Sequence, residues 1–312
     1  MVHLHQLTNI QLFINFNIDL EVHSIDLFER ILFHKTYNMK SSFFLTSLAL
    51  LTLFCVSCKK KSFNPVLTEK QVDLGTHKLT SYSSSTGSKY LIVFESGAGN
   101  DASVWTEKDI RVPLSAISDL MVYDRAGYGK SQKGPAPRNI DRLSNELAAV
   151  IAANAGDRKI ILVCHSLGGL IARAYAFKNP AKIAALLFLD SSHELYNHWT
   201  QAEEDNLYES TKAAYGSEAG ILPEIRELRE DLEYMTTLPN LPDVPVRVIT
   251  SMQTSAAIST ADRQLLFNAH ESLKAGVTDF QHLSTVKSGH FIMLDEPSLV
   301  IDNIKQLLSK LP

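Results

Sequence analysis

Lys159-Ile160-Ile161-Leu162-Val163-Cys164-His165-Ser166-Leu167-Gly168-Gly169-Leu170 is the stretch from which the rest of the chain is read. Ile160 to Val163 is a continuous run of β-branched and aliphatic side chains, the pattern of a strand buried on both faces. The run stops at Cys164-His165-Ser166, and a helical pattern from Leu170 to Phe177 begins almost at once. So tight a change of direction leaves Ser166 at the apex with its Oγ pushed out of the sheet. It also sets Leu167 N–H at the start of a helix, where unpaired N–H groups and aligned peptide dipoles favour negative charge. Gly168 and Gly169 allow that helix to pass close to the strand.

On these residues the chain resembles the α/β-hydrolase family, whose nucleophile elbow reads Gly-x-Ser-x-Gly on a strand–turn–helix. Cys164 stands where the family carries its first glycine. Three further stretches carry the likeness. Tyr90 to Phe94 is a buried-strand run that ends in Glu95-Ser96-Gly97-Ala98-Gly99-Asn100. This is similar to the family's oxyanion loop, with Glu95-Ser96 where His is common. Leu120 to Tyr123 leads into Asp124-Arg125-Ala126-Gly127-Tyr128-Gly129-Lys130-Ser131, similar to the family's Asp-Arg-x-Gly-x-Gly-x-Ser loop. Asp124 and Arg125 are expected to tie loops near the site, with substrate contact by Arg125 or Tyr128 as the alternative. Lys287-Ser288-Gly289-His290-Phe291-Ile292 resembles the loop that carries the family's histidine. The likeness runs from about Tyr90 to Leu311.

The resemblance implies an α/β fold: a mainly parallel central sheet flanked by helices, with a helical cap insertion. Apolar runs predict strands at Ile183 to Leu189, Val246 to Thr250 and Leu283 to Val286, and short edge strands at Gln71 to Leu74 and His77 to Tyr82. Helical spacing predicts helices from Ile140 to near Gly156, from Ala261 to Leu273 and from Pro297 to Leu311. Glu194 to Asp243 is acidic, amphipathic and largely helical in pattern, and resembles the cap that roofs the family's site. Most of its aromatics (Trp199, Tyr208, Tyr215, Tyr234) are expected to pack rather than bind.

The same resemblance implies Ser166 as nucleophile, His290 as its base, and the backbone N–H groups of Ala98 and Leu167 as oxyanion donors. A serine hydroxyl needs such a base to remove its proton during attack. His193 is the rival base, and the side chain of His165 is expected to point elsewhere. The acid has two candidates. The loop after Val246 to Thr250 has no carboxylate until Asp262, whereas Asp190 ends the preceding strand. Asp190 is preferred, Asp262 comes second, and a dyad without acid is third. The implied chemistry is hydrolysis of an ester-type (acyl) bond in a small-molecule substrate through an acyl-enzyme. A peptidase or a carbon–carbon bond hydrolase would use the same residues, and a non-catalytic binding protein of this fold is the reading from another class. No metal or cofactor is called for, and Ser96-Gly97-Ala98-Gly99 lacks the spacing of a dinucleotide loop.

With 312 residues, 45% of them hydrophobic, the chain is long enough for one large core. A net charge of −4 with scattered Lys and Arg argues against a nucleic-acid partner. Met39 to Cys58 holds a lysine, an apolar run from Phe43 to Val56 and then Val56-Ser57-Cys58, an export-signal pattern with a lipobox-like end. The expectation is a signal segment at 39–58, lipidation at Cys58, a tether at 59–65 and a hydrolase domain at 66–312 with its cap at about 194–243. The protein is then expected in a bacterial cell envelope, held to a membrane through that lipid. Residues 1–38 precede the signal and are expected to come from a mis-called start codon. Of the three cysteines, Cys55 leaves with the signal and Cys58 carries lipid. Cys164 is left alone, so the mature domain has no internal disulfide.

Overall fold

The computed structural model describes residues 66–106 and 108–312. The upstream extension 1–38, the signal segment with Cys58, and the tether 59–65 lie outside the described residues.

Among the described residues eight strands form one sheet: β1 (Thr68–Asp73), β2 (Lys78–Ser83), β3 (Tyr90–Glu95), β4 (Asp119–Tyr123), β5 (Lys159–His165), β6 (Ile183–Leu189), β7 (Val246–Ser251) and β8 (Phe280–Thr285). Their spatial order is β1-β2-β4-β3-β5-β6-β7-β8. β2 pairs antiparallel with β1 and β4, and every other pair is parallel. The continuous apolar run of β5 suits its place inside the sheet. Ile160, Leu162 and Cys164 face one helical layer, Ile161 and Val163 the other, and none is measurably exposed. Each such side chain contributes on the order of 1.5–3 kcal/mol of burial.

One layer is built by α2 (Ile140–Ala155) and α3 (Gly168–Lys178) together with the cap. The other is built by α1 (Lys108–Ser115) and, at the carboxyl end, the helix Pro297–Lys310. That last helix buries Val300, Ile304 and Leu307 along one stripe, the spacing from which it was read. α1 holds Pro113 inside it, which hides it from a reading by propensity. β8 begins three residues earlier than its apolar run suggests, and Val286 lies past its end, 70% exposed. The reason is its place at the sheet edge. Among the described residues it pairs with β7 alone, so Phe280-Gln281-His282 need not be wholly apolar.

The cap spans two main helices, α4 (Gln201–Tyr215) and α5 (Leu228–Thr236), joined through a short turn at Leu222–Ile225. Thr200 and Glu203 form a reciprocal capping box at the start of α4. Of the cap aromatics, Tyr208 stacks under the Arg226 guanidinium, 3.6 Å from its ring centre, while Tyr196 and Trp199 reach the cavity described below. Asp231 of α5 is buried and accepts a 2.7 Å hydrogen bond from Ile140 N at the start of α2. Burial, with help from Glu227, Glu224 and Glu230, pushes its carboxyl up to about 8. The fold therefore holds a proton there that the unfolded chain releases near its ordinary value of about 3.9. Stability that this proton confers is complete below that value and is lost as pH rises towards 8. Asp231→Asn keeps the acceptor oxygen and removes the titration. The variant is expected to match the wild type near pH 4 and to exceed it by on the order of a few kcal/mol at pH 8. Urea unfolding at the two pH values measures this, and an equal difference at both would refute it.

Candidate active site

Three loops at the carboxyl ends of parallel strands bring the candidate residues together. Ser166 follows β5 with φ +51°, the left-handed region that a non-glycine residue occupies only at a cost of roughly 1–3 kcal/mol. Ser166 O accepts hydrogen bonds from Gly169 N and Ser192 N, both at 2.9 Å, which hold the bend. Downstream there is no room for side chains. A Cβ on Gly168 would lie 2.6 Å from the Glu95 carbonyl oxygen, and one on Gly169 would lie 2.3 Å from Ser191 Cβ. Upstream, Cys164 fits because its thiol lies buried at 3.4 Å from Leu187 O, within the sheet layer.

Asp190 follows β6, also in the left-handed region at φ +39°, and is almost fully buried. His290 comes from the Ser288-Gly289 turn after β8. Its Nδ1–H donates to Asp190 Oδ2 at 2.8 Å. The same oxygen accepts from Arg263 Nη1 at 3.1 Å, while Oδ1 accepts from Ser251 N at 2.9 Å. Burial works to raise the Asp190 carboxyl, but the hydrogen bond and charge of His290 and the charge of Arg263 outweigh it and bring it down to about 2. Asp190 is a carboxylate at any working pH. Arg263 sits in the helix α6 (Thr260–Glu271), and nothing in the sequence marks it as a neighbour of Asp190. Asp262, the second candidate acid, accepts from Ser259 N and Oγ in the capping box that starts α6.

Two histidines differ in placement from their sequence reading or from each other. His193 Nδ1 accepts from Leu195 N at 3.1 Å, and its Nε2 lies 3.3 Å from Ser272 Oγ, away from Ser166. His165 does not simply point elsewhere. Its ring packs 4.4 Å from that of His290, and its Nε2–H donates to the His290 carbonyl at 2.9 Å. Burial and the neighbouring His290 hold His165 well below the ordinary histidine range, so it supports the histidine loop as a neutral ring. The strand period, which sends residue 165 to the face opposite residue 164, could have placed it there.

Ser166, Asp190 and His290 line one cavity of about 100 Å³. Its other walls are mainly apolar, with Leu167 and Leu170 from below and Trp199, Leu228 and Leu232 from the cap. Arg125 and Tyr128 are not among its walls. They are buried behind the Glu95–Asn100 loop, joined to cap residue Glu224. Leu167 caps the amino end of α3, and the Gly97-Ala98 turn passes against the serine, since a Cβ on Gly97 would lie 3.0 Å from Ser166 Cβ. Among the described residues no three His, Cys, Asp or Glu side chains gather so as to hold a metal ion.

Residues 92–303 match the family described as "Alpha/beta hydrolase family". Among curated proteins, an uncharacterized protein of Bacillus subtilis, YqjL, is 26% identical over 211 residues, which is 67% of this chain and 79% of that protein. A pimeloyl-[acyl-carrier protein] methyl ester esterase of Proteus mirabilis is 34% identical over 106 residues, 34% of this chain and 38% of that protein. Of that enzyme, the chain thus spans little more than a third. The solved structure of the epoxide hydrolase CorEH superposes with a TM-score of 0.61 at 14% identity, covering 78% of this chain and 99% of that one. At that identity the likeness speaks for the fold alone.

Proposed function

Because the chain belongs to the alpha/beta hydrolase family, we propose that it is a serine hydrolase that cleaves an ester-type bond through an acyl-enzyme. The observation that carries this reading is the 2.8 Å bond from His290 Nδ1 to Asp190, with Ser166 on the wall of the same cavity. With Nδ1–H committed to the carboxylate, Nε2 of neutral His290 carries the lone pair and can act as base. It takes the Ser166 proton as Oγ attacks the acyl carbon. Asp190 fixes the tautomer and stabilises the imidazolium that forms. The N–H groups of Ala98 and Leu167 receive the oxyanion, each such donor being worth roughly 3 kcal/mol. The proton then passes from His290 to the leaving oxygen, and water reverses the sequence to free the acid. A serine at the elbow supports acyl transfer over the chemistry named for the epoxide hydrolase neighbour, which shares the fold alone.

The mainly apolar walls suit an uncharged acyl group. The test is turnover of short-chain p-nitrophenyl esters by the full chain, with hydrolysis well above the buffer rate expected. No turnover of any ester across a series of acyl lengths would count against the proposal.

The address belongs to the same proposal: export, with a lipid on Cys58. Metabolic labelling with a radioactive fatty acid is expected to mark the wild type but not Cys58→Ser, and labelling of both would refute it.

A further inference from the structure

We infer that Arg125 is a positioning residue: clamped by cap residue Glu224, it fixes the peptides of the Ser96–Ala98 turn and so aims the Ala98 N–H. This rests on the acyl-transfer reading above.

Arg125 follows β4 and is 2% exposed, yet all five of its N–H donors are used. Nε donates to Glu224 Oε1 at 2.8 Å, and Nη2 to Glu224 Oε2 at 3.1 Å. Nη2 also donates to Gly97 O at 2.8 Å. Nη1 donates to Ser96 O at 2.6 Å and to Glu95 Oε1 at 3.1 Å. A trans peptide is planar, with its C=O and N–H pointing in opposite directions. Gripping the Gly97 carbonyl therefore turns the Ala98 N–H away from the guanidinium. Gripping the Ser96 carbonyl does the same for Gly97 N–H. Two adjacent peptides of the loop that packs on Ser166 are fixed by one side chain.

Glu224 completes the clamp from the cap. Besides its two bonds to Arg125, its Oε2 accepts from Tyr128 OH at 2.8 Å, and that hydroxyl accepts from Gly99 N at 3.2 Å. The cap is thus tied to the loop both through Arg125 and through Tyr128. Glu95 supplies the guanidinium's other carboxylate and is held in turn by Tyr123 OH at 2.6 Å. Without Glu224, two donors of a buried cation would lose their partner, which such a group resists strongly. One guanidinium therefore joins a cap carboxylate to the oxyanion loop.

The experiment uses full-length wild type, Glu224→Gln and Arg125→Lys. It measures kcat and KM for p-nitrophenyl butyrate, inhibition by a trifluoromethyl ketone, and inhibition by butyrate. The ketone adds Ser166 Oγ to its carbonyl, passes the serine proton to His290 and leaves an oxyanion on the former carbonyl oxygen. Butyrate binds without forming one. Expected are falls in kcat of about 10-fold for Glu224→Gln and about 10²-fold for Arg125→Lys. Ketone affinity should fall in step, with KM and butyrate affinity within about 3-fold. Unchanged ketone affinity, or ketone and butyrate weakened alike, would overturn the inference and leave only a structural anchor. Should Arg125→Lys not fold, Glu224→Gln decides alone, since the amide keeps the shape and one acceptor. A wild type that turns over no ester would overturn the acyl-transfer reading and this inference with it. Normal wild-type turnover with unaffected variants would overturn this inference only.

Discussion

Replacing Ser166 by alanine is expected to lower ester turnover by about 10⁶-fold while the protein stays folded. The hydroxyl is the only group removed. Alanine at φ +51° meets the same backbone cost as serine, and the hydrogen bonds that hold the bend run through main-chain atoms. Stability should therefore change by no more than about 0.5 kcal/mol in either direction. Binding and the oxyanion donors leave some acceleration over water, so the residual rate need not be zero. Initial rates with a p-nitrophenyl ester, alongside thermal unfolding, measure both quantities. A folded Ser166→Ala protein that keeps a tenth or more of wild-type activity would remove Ser166 from the chemistry.

Asp190→Asn is expected to lower kcat by about 10⁴-fold, and Asp262→Asn to leave it within a few-fold. The difference lies in what surrounds each carboxylate. Asp190 receives three donors: Ser251 N on one oxygen, and His290 Nδ1 and Arg263 Nη1 on the other. An amide has one acceptor oxygen, so whichever way it turns, its NH₂ meets at least one donor head-on. If it faces His290, the ring must present Nδ1 as acceptor, which puts the proton on Nε2 and removes the base. Some loss of stability should accompany this, because Asp190 is buried and its ionised form is favoured by those same donors. Asp262 instead closes the capping box of α6, and losing it should cost about 1 kcal/mol of stability. A kcat loss of similar size in both variants, or the larger loss in Asp262→Asn, would move the acid away from Asp190.

The sheet was legible because parallel strands buried on both faces write themselves as unbroken apolar runs, as in Tyr90–Phe94 and Ile183–Leu189. Edge strand β8 was legible only in part, since half-exposed residues carry no such run. The elbow was readable because Ser166, Gly168 and Gly169 answer a local demand for space. Asp190 was marked by its place at the end of an apolar strand and by the missing carboxylate after the next one, but only the folded chain brings it to 2.8 Å from His290. What surrounds that pair had no sequence signal. Arg263 sits 73 residues from Asp190, and Glu224 sits 99 from Arg125, each on a helical segment of otherwise ordinary pattern. Long-range polar contacts of this kind have no period, so only the folded chain reveals them.

A fluorophosphonate forms a stable bond to a serine oxygen only when a neighbouring base activates it, and mass spectrometry of the digested protein then identifies the residue. Full-length protein treated with such a reagent is expected to carry one adduct, on the peptide containing Ser166, and to form it far more slowly after His290→Ala. An adduct on another residue, or a Ser166 adduct that forms equally fast without His290, would contradict the pairing of that hydroxyl with that imidazole.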